Sequence, residues 1–443
     1  MSRERTTHRC RECGTTAVRW AGRCPHCGAW NSLAEERVGA AGPRGLLAEP
    51  VALAEVSSEG GEPWPTGIAE FDRALSGGLV PGSVTLVGGE PGVGKSTLLL
   101  QLAAAVASSG AKVLICSAEE SPEQIRRRAD RLDAAVDGVS LLATTSLAEA
   151  VAAAERLSPE LLVIDSVQTI GDPDLGAPGS VAQVREVAAR LVSLAKRRHI
   201  ATVLVGHVTK EGELAGPRVL EHLVDTVCSF EGDRHHALRM LAINKHRFGP
   251  TGELGVFAMG EHGLVSVEDP SAFMLADRRP GAAGCVVAPV LEGRRPLLVE
   301  IQALVAESAL GTPRRTAQGI IPGRLALLVA VLERRASCPL ARYDVFTSAV
   351  GGVRVSEPAS DLALALALAS SALGRPVPAD VVACGEVGLG GEVRQVTQTP
   401  KRLSEAARRG FRRAIVPWSA PADCEGIELV RVRDLAEAVE TLR

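Results

Sequence analysis

Between Thr66 and about Val267 the chain alternates short unbroken apolar runs with longer segments whose apolar residues recur at helical spacing. The runs VTLVGG (84–89), KVLICSAEE (112–120), LLVIDS (161–166) and ATVLVGHV (201–208) show no polar alternation. A short continuous apolar run bounded by turn residues fits a strand covered on both faces, and the helical segments between the runs fit crossovers. The pattern predicts an α/β core with a mostly parallel sheet. A second alternation begins near Gly281, where CVVAPVLEG and PLLVEIQALV read as paired strands and Gly323–Arg335 and Asp361–Leu373 as helices. Residues 1–34 are Cys-rich, while 35–62 mix Gly, Pro, Ala and Glu without periodicity and read as a linker. The expected division is therefore 1–34, 35–62, 63–270 and 271–443, with no repeat of solenoid length.

Length agrees, since 443 residues exceed what one ordinary core organises. Apolar residues make up 46%, charged residues 23% and aromatics only 3%, so Ala, Leu and Val must fill the interior. A net charge of -3 argues against wholesale attraction to nucleic acid and confines any such contact to local basic patches. MSRERTTHRC lacks the apolar segment of a secretory signal, and the longest apolar stretch, Leu362–Leu373, falls short of the roughly 20 residues a bilayer needs. A cytoplasmic protein without a membrane partner is expected. Of ten cysteines, those at 116, 228, 285, 338, 384 and 424 stand singly and read as reduced, mostly buried side chains.

The other four carry chemistry. Cys10, Cys13, Cys24 and Cys27 form two C-x2-C pairs, each able to make a knuckle that aims two thiolates at one metal. Four sulfurs give a closed, structural Zn²⁺ site, and metal binding supplies the folding free energy that so short a segment lacks. His8 and His26 then read as solvated loop residues. Arg9, Arg11, Arg19 and Arg23 read equally as phosphate contacts or as a solvated face.

Gly89, Glu90, Pro91, Gly92, Val93, Gly94, Lys95, Ser96 and Thr97 spell a P-loop between the strand VTLVG and the helix TLLLQLAAAVA. Backbone N–H groups in such a loop curl around the phosphates of ATP, Lys95 reaches the outer phosphates, and Ser96 ligates Mg²⁺. Asp165, ending LLVID, suits the carboxylate that holds the Mg²⁺ shell. Glu119 and Glu120 end the preceding strand, and Glu119 is the candidate general base that orients water. His207 reads either as a polar sensor of the γ-phosphate or as a histidine satisfied within the fold.

In its motif order the chain resembles the bacterial RadA family, also called Sms, over nearly its whole length. The four-cysteine finger, GEPGVGKST, SAEES, LLVIDSVQT, GHVTKEG and GPRVLEHLVDTV follow one another as in that family. The family's Lys-Asn-Arg-Phe-Gly signature stands here as Lys245, His246, Arg247, Phe248 and Gly249, with His replacing Asn. The resemblance implies a zinc finger, a RecA-like ATPase core and a C-terminal α/β domain like that of the Lon protease. It also implies a homo-hexameric ring in which Lys245 and Arg247 act on the neighbouring subunit's nucleotide and on coupling to DNA. The implied activity is a DNA-dependent ATPase and helicase-like motor for homologous recombination and the repair of DNA damage. Such a motor loads on single-stranded and branched DNA and drives branch migration beside RecA. In a RecA-like core, Lys210 and Arg218 could face a central channel and track a phosphate backbone. A nucleotide-gated clamp that does not translocate is the alternative.

The segment GGVRVSEPASDLALALALASS lies where the Lon-type domain carries its serine nucleophile, and GEVRQVTQTPKRLSEA where it carries its lysine base. Ala359 and Pro400 fall at those two positions, so both catalytic groups are lost. Ser360 and Lys401 lie one residue off, and an ATP-dependent peptidase would need them to meet. Arg402, Arg408, Arg409, Arg412 and Arg413 read either as a DNA-contacting basic face or as a solvated one.

Overall fold

A computed structural model describes residues 5–10, 15–17, 19–38, 52, 61–172, 179–207, 220–232, 238–308, 312–421 and 424–442. The chain forms two compact units, Met1–Glu59 and Gly60–Arg443. No helix among the described residues is long and apolar enough to cross a membrane.

The first unit holds an antiparallel sheet of β1 (Arg5–Cys10), β2 (Thr16–Ala17) and β3 (Leu33–Val38), in the order β2-β1-β3. Strand β3 pairs with the full length of β1, from Cys10↔Leu33 to Arg5↔Val38, and so continues past residue 34. Among its described residues the apolar core is Cys10, Cys24 and Leu33 with Ala17 against them, too little burial to hold a fold without a cross-link.

Among the described residues the second unit contains two large sheets and a small two-stranded one. In the first, β4 (Val84–Gly89), β5 (Val113–Ser117), β6 (Val139–Ala143), β7 (Leu161–Asp165), β8 (Ala201–His207) and β9 (Thr226–Glu231) run parallel. An antiparallel meander, β10 (Leu238–His246), β11 (Leu254–Gly260) and β12 (Gly263–Ser266), extends it. The order is β12-β11-β10-β9-β4-β8-β7-β5-β6. The apolar runs are continuous because both faces are covered. Leu161 and Val163 pack with Leu98 and Leu102 of α2 (Lys95–Ser108), whereas Leu162 and Ile164 pack with α4 (Leu147–Leu157) and α5 (Val181–Arg198).

Helix starts carry the chemistry that fixes the loops. Ser121 accepts from the Gln124 N–H while the Gln124 side chain accepts from the Ser121 N–H, a capping box that opens α3 (Pro122–Arg131) directly after Glu119 and Glu120. Ser146 and Ser180 cap α4 and α5 from one side only, each accepting from a backbone N–H in the first turn.

The second sheet is mixed: β13 (Cys285–Glu292), β14 (Arg295–Glu307), β15 (Arg315–Gln318), β16 (Tyr343–Ala349), β17 (Val381–Ala383), β20 (Arg413–Pro417) and β21 (Glu428–Val432), ordered β15-β16-β14-β13-β17-β20-β21. The small strands β18 (Glu386–Val387) and β19 (Val393–Arg394) form a separate hairpin. The two runs read as paired strands are β13 and β14, antiparallel from Cys285↔Gln302 to Glu292↔Arg295. The two expected helices span Pro322–Arg335 and Asp361–Leu373.

The sheets are not loosely strung. Leu238, Leu254 and Val256 of the meander belong to the same buried cluster as Val286, Val299 and Ile301 of the second sheet. Glu70 of α1 (Ala69–Ala74), itself buried, pairs with the buried Arg295 guanidinium of β14 and accepts from the Val256 N–H at 2.7 Å. Arg295 also donates to the Glu268 carbonyl at 2.9 Å.

The basic segment of the C-terminal domain is solvated only in part. Arg402 is 1% exposed and grips Glu357 through two hydrogen bonds of 2.5 and 2.7 Å, with the Pro289 and Thr397 carbonyls accepting from it as well. Arg408 and Arg409 pair with Glu405, Arg409 also with Asp269, and Arg413 with Asp380. Arg402 and, in part, Arg409 are used inside the fold, where this helix packs on β13 and β14, whereas Arg408 and Arg412 stay exposed.

Removing one partner of a buried ion pair leaves the other uncompensated. Glu70→Ala should therefore cost on the order of 3–5 kcal/mol of stability, read as a lowered urea midpoint, and Glu70→Leu combined with Arg295→Met should recover much of it.

Candidate functional site

Parallel pairing sets the level at which strands end. Ser117 lies opposite Asp165 across β5 and β7, and Gly89 opposite His207 across β4 and β8, so their loops open on one edge of the sheet. The stretch from Gly89 to Lys95 leaves β4 at that edge and enters α2. Gly94 takes φ +115° at the start of α2, a region that disfavours a side chain. Gly89 has no room for one, since a Cβ would stand 2.4 Å from the Phe230 carbonyl oxygen. Glu90, Pro91 and Gly92 are exposed at the loop's crest, Val93 is buried beneath it, and Thr97 lies in the first turn of α2.

Lys95 Nζ donates to the Gly89 and Glu90 carbonyls at 2.8 and 3.0 Å. Burial lowers its pKa, opposed by the carboxylates of Asp165 and Glu119, which places all three groups in one electrostatic neighbourhood. Ser96 Oγ donates to Asp165 Oδ2 at 2.9 Å. A hydroxyl and a carboxylate at this separation form a hard oxygen set that fits Mg²⁺. Glu119 Oε1 accepts from Ser166 Oγ at 2.7 Å, and Ser166 is in turn 3.0 Å from Thr169 Oγ1. Glu120 is held in a 2.5 Å ion pair with Arg128, and both line a small cavity together with Ser96 and Asp165.

Two residues here had no motif to announce them. Arg239 of β10, 5% exposed, donates from Nε to the Val93 carbonyl at 3.1 Å and so braces the loop from behind. The signal was an arginine within the apolar run LRMLAI. Ser166 orients Glu119, and only the fold brings residues 47 positions apart together.

Lys245 and Arg247 lie elsewhere. Lys245 pairs with Val227 at the far end of β9, where Thr226 faces Thr85 near the start of β4. Arg247 binds Asp225 at 3.1 Å, and Asp225 accepts from the Val84 N–H at 3.0 Å. From Val84 to Gly89 the strand rises roughly 17 Å at about 3.3 Å per residue, beyond the reach of either side chain to its own loop. Lys245 Nζ donates to the carbonyls of Glu221 and Val224 at 2.5 and 2.8 Å. His246 Nε2 lies 3.2 Å from the Leu75 carbonyl, and its Nδ1 lies 2.9 Å from Thr226 Oγ1. A neutral ring that donates to the carbonyl and accepts from the hydroxyl satisfies both, as an Asn amide would. Lys210 and Arg218 fall outside the described residues, and of His207 only its backbone place at the end of β8 is described.

In the first unit the thiols of Cys10, Cys24 and Cys27 all lie within 4.8 Å of one another, with Cys10 and Cys27 3.6 Å apart. Zn–S bonds of about 2.3 Å in a tetrahedron set sulfurs about 3.8 Å apart, so the cluster fits Zn²⁺. The knuckles close through Cys10 N–H to the Thr15 carbonyl and Cys24 N–H to the Ala29 carbonyl, both 2.9 Å. Cys13 falls outside the described residues. By contrast, burial pushes the Cys116, Cys228 and Cys384 thiols up to about 12, as inert core residues.

Ser360 and Lys401 do not approach a dyad. Ser360 Oγ donates to the Glu357 carbonyl at 3.0 Å, Lys401 Nζ donates to the Arg294 carbonyl, and Ala359 is buried.

Comparison with known proteins supplies the context. Residues 67–213 match an AAA domain, and residues 8–35 match a rubredoxin metal binding domain. The chain is 48% identical over 452 residues to the DNA repair protein RadA of Pseudomonas aeruginosa, covering all of both chains. It is 44% identical to those of Halalkalibacterium halodurans, over 99% of each chain, and Bacillus subtilis, over 100% of this chain and 99% of that one. The chain belongs to the RadA family. It thus joins, as RadA-family members do by name, a set of DNA repair proteins, with a zinc ribbon and an AAA-type P-loop domain on an α/β framework.

Within this RadA-family chain, His246 offers a direct test. Burial lowers its pKa below the ordinary 6.5. The unfolded chain therefore takes up a proton here more readily than the folded one, so the contribution is present above about pH 6.5 and fades as pH falls below it. Thermal midpoints of wild type and His246→Asn should run parallel above pH 7 and diverge below 6, with the wild type losing more.

Proposed function

We propose that this chain is a DNA-coupled ATP hydrolase of DNA repair and recombination, working as a ring-forming motor on single-stranded and branched DNA. The observation that carries this reading is the convergence of Lys95, Ser96, Asp165 and Glu119 on one sheet edge in a chain of the RadA family. The backbone from Gly89 to Thr97 cradles the phosphates at the N-terminus of α2, where free N–H groups and the helix dipole favour negative charge. Lys95 swings from its carbonyl contacts to the outer phosphates. Ser96 and Asp165 would hold Mg²⁺, which would supply charge neutralisation for phosphoryl transfer. Glu119, steadied by Ser166, orients the attacking water and receives its proton. Cys10, Cys13, Cys24 and Cys27 hold Zn²⁺ as a structural centre.

Arg247 and Lys245 act on a neighbouring copy's nucleotide, since their own lies at the opposite end of β4. This favours a hexameric ring with composite sites, and branch migration beside RecA is the work we assign to it. The Lon-like C-terminal domain serves as scaffold without peptidase chemistry.

Steady-state ATP hydrolysis with and without single-stranded DNA tests the reading. Clear stimulation is expected, and turnover indifferent to DNA would move the assignment to a nucleotide-gated clamp. Lys95→Ala should lower turnover by ~100-fold or more while the fold persists, as measured beside its circular dichroism. Arg247→Ala should reduce turnover by on the order of 1000-fold with nucleotide affinity changed only a few-fold. Mixing Lys95→Ala with Arg247→Ala subunits should restore part of the activity, and no recovery would sink the composite site.

A further inference from the structure

Only four tryptophans occur in 443 residues, and two of them, Trp20 and Trp30, lie in the small metal-binding unit. Both stand outside its core, 59% and 74% exposed. A unit with so few buried apolar groups has left its two largest ones in water, although burying an indole is among the larger stabilising steps open to it. Their placement is ordered: Arg23 bridges Trp30, and the Asn31 N–H donates to the Gly22 carbonyl at 2.8 Å, which sets the two segments side by side.

Gly22 lies between the indoles. Trp20 Cη2 and Trp30 Cζ3 are each 4.0 Å from the point where a Cβ on Gly22 would stand, so these ring edges are at most about 8 Å apart. A base inserted between two aromatic faces separates them by about 7 Å, twice the 3.4 Å stacking distance. Gly22 adds no side chain to the space beside the two ring edges.

Within its own stretch of chain, before Glu35, the charges have one sign. From Thr15 to Ala34 the sequence carries Arg19, Arg23 and His26 and no Asp or Glu. Arg19 and Arg23 are exposed, and the Arg23 guanidinium, anchored on the Gly28 carbonyl at 2.8 Å, lies 5.8 Å from the Trp30 ring centroid. Aromatic faces beside cations, without carboxylates, are the chemistry that recognises single strands: stacking on unpaired bases with phosphates held alongside. A duplex offers no unstacked base to such a cleft.

We propose that Trp20 and Trp30, with Gly22 between them and Arg19 and Arg23 as phosphate contacts, form a base-stacking site for single-stranded DNA. It deepens the motor reading by assigning the strand contact to the metal-binding unit, and it can be tested independently of that reading. Full-length, zinc-loaded protein is titrated into a fluorescently labelled twenty-nucleotide dT strand without ATP, and anisotropy is read. Trp20→Ala and Trp30→Ala should each weaken binding by about 10-fold, and Trp→Tyr at either site should restore most of it. Gly22→Leu, which keeps both indoles but fills the space beside them, should weaken binding comparably while zinc content stays at that of wild type. Unchanged dT affinity in zinc-retaining variants, even with capture of a protein partner lost, would overturn the proposal. A wild type that binds dT through this pair yet shows no DNA-stimulated hydrolysis would instead remove the motor reading and leave the stacking site standing.

Discussion

Backbone pairing between parallel strands brings the nucleotide chemistry together. A parallel ladder allows little choice about where its strands end once the register is set, and here Ser117 faces Asp165 while Gly89 faces His207. The loops leaving these strands consequently share one edge, and α2 begins there with its unsatisfied N–H groups turned outward. Ser96 then reaches Asp165 across 69 residues of sequence, and Ser166 reaches Glu119. Strands β9 and β10 contribute from behind, where Arg239 of β10 binds the Val93 carbonyl and the Phe230 carbonyl of β9 packs against Gly89. A loop braced on two sides can present its backbone with little reorganisation when phosphates arrive.

The antiparallel meander ties this sheet to the second one. Leu254 and Val256 are buried among Val286, Val299 and Ile301, and the Glu70–Arg295 pair crosses between the sheets in a region from which water is excluded. An interface with a shared apolar core and a buried ion pair transmits displacement instead of absorbing it. The C-terminal sheet is thereby fixed to the ATPase core. Its Lon-like segment has been put to structural use: Arg402 clamps Glu357 just before the turn that carries Ala359, and Lys401 and Ser360 each satisfy a backbone carbonyl elsewhere.

Lys245 and Arg247 gain meaning from distance. They sit at the start of β4 and the P-loop at its end, with Asp225 holding Arg247 at the near side. One strand thus separates two chemically distinct edges of the same protein, the cation edge and the P-loop edge. His246 replaces Asn without loss of hydrogen bonding because a neutral imidazole supplies the same one donor and one acceptor.

Much of this was legible in the residues themselves. Unbroken apolar runs between amphipathic segments are the direct imprint of strands covered on both faces, so β4, β5, β7 and β8 could be read from hydrophobicity alone. The P-loop and the paired cysteines were equally plain, because local backbone geometry dictates their spacing. Tertiary structure alone decided what depends on side chains meeting from distant positions. It gave Glu119 a serine partner and Glu120 an arginine. It buried Arg402 where a charge run suggested a solvated face, braced the P-loop with Arg239, and fused two sheets through Glu70 and Arg295. Sequence records periodicity and short-range geometry, whereas burial and partnership of a charged side chain are set by whichever elements the chain later packs against it.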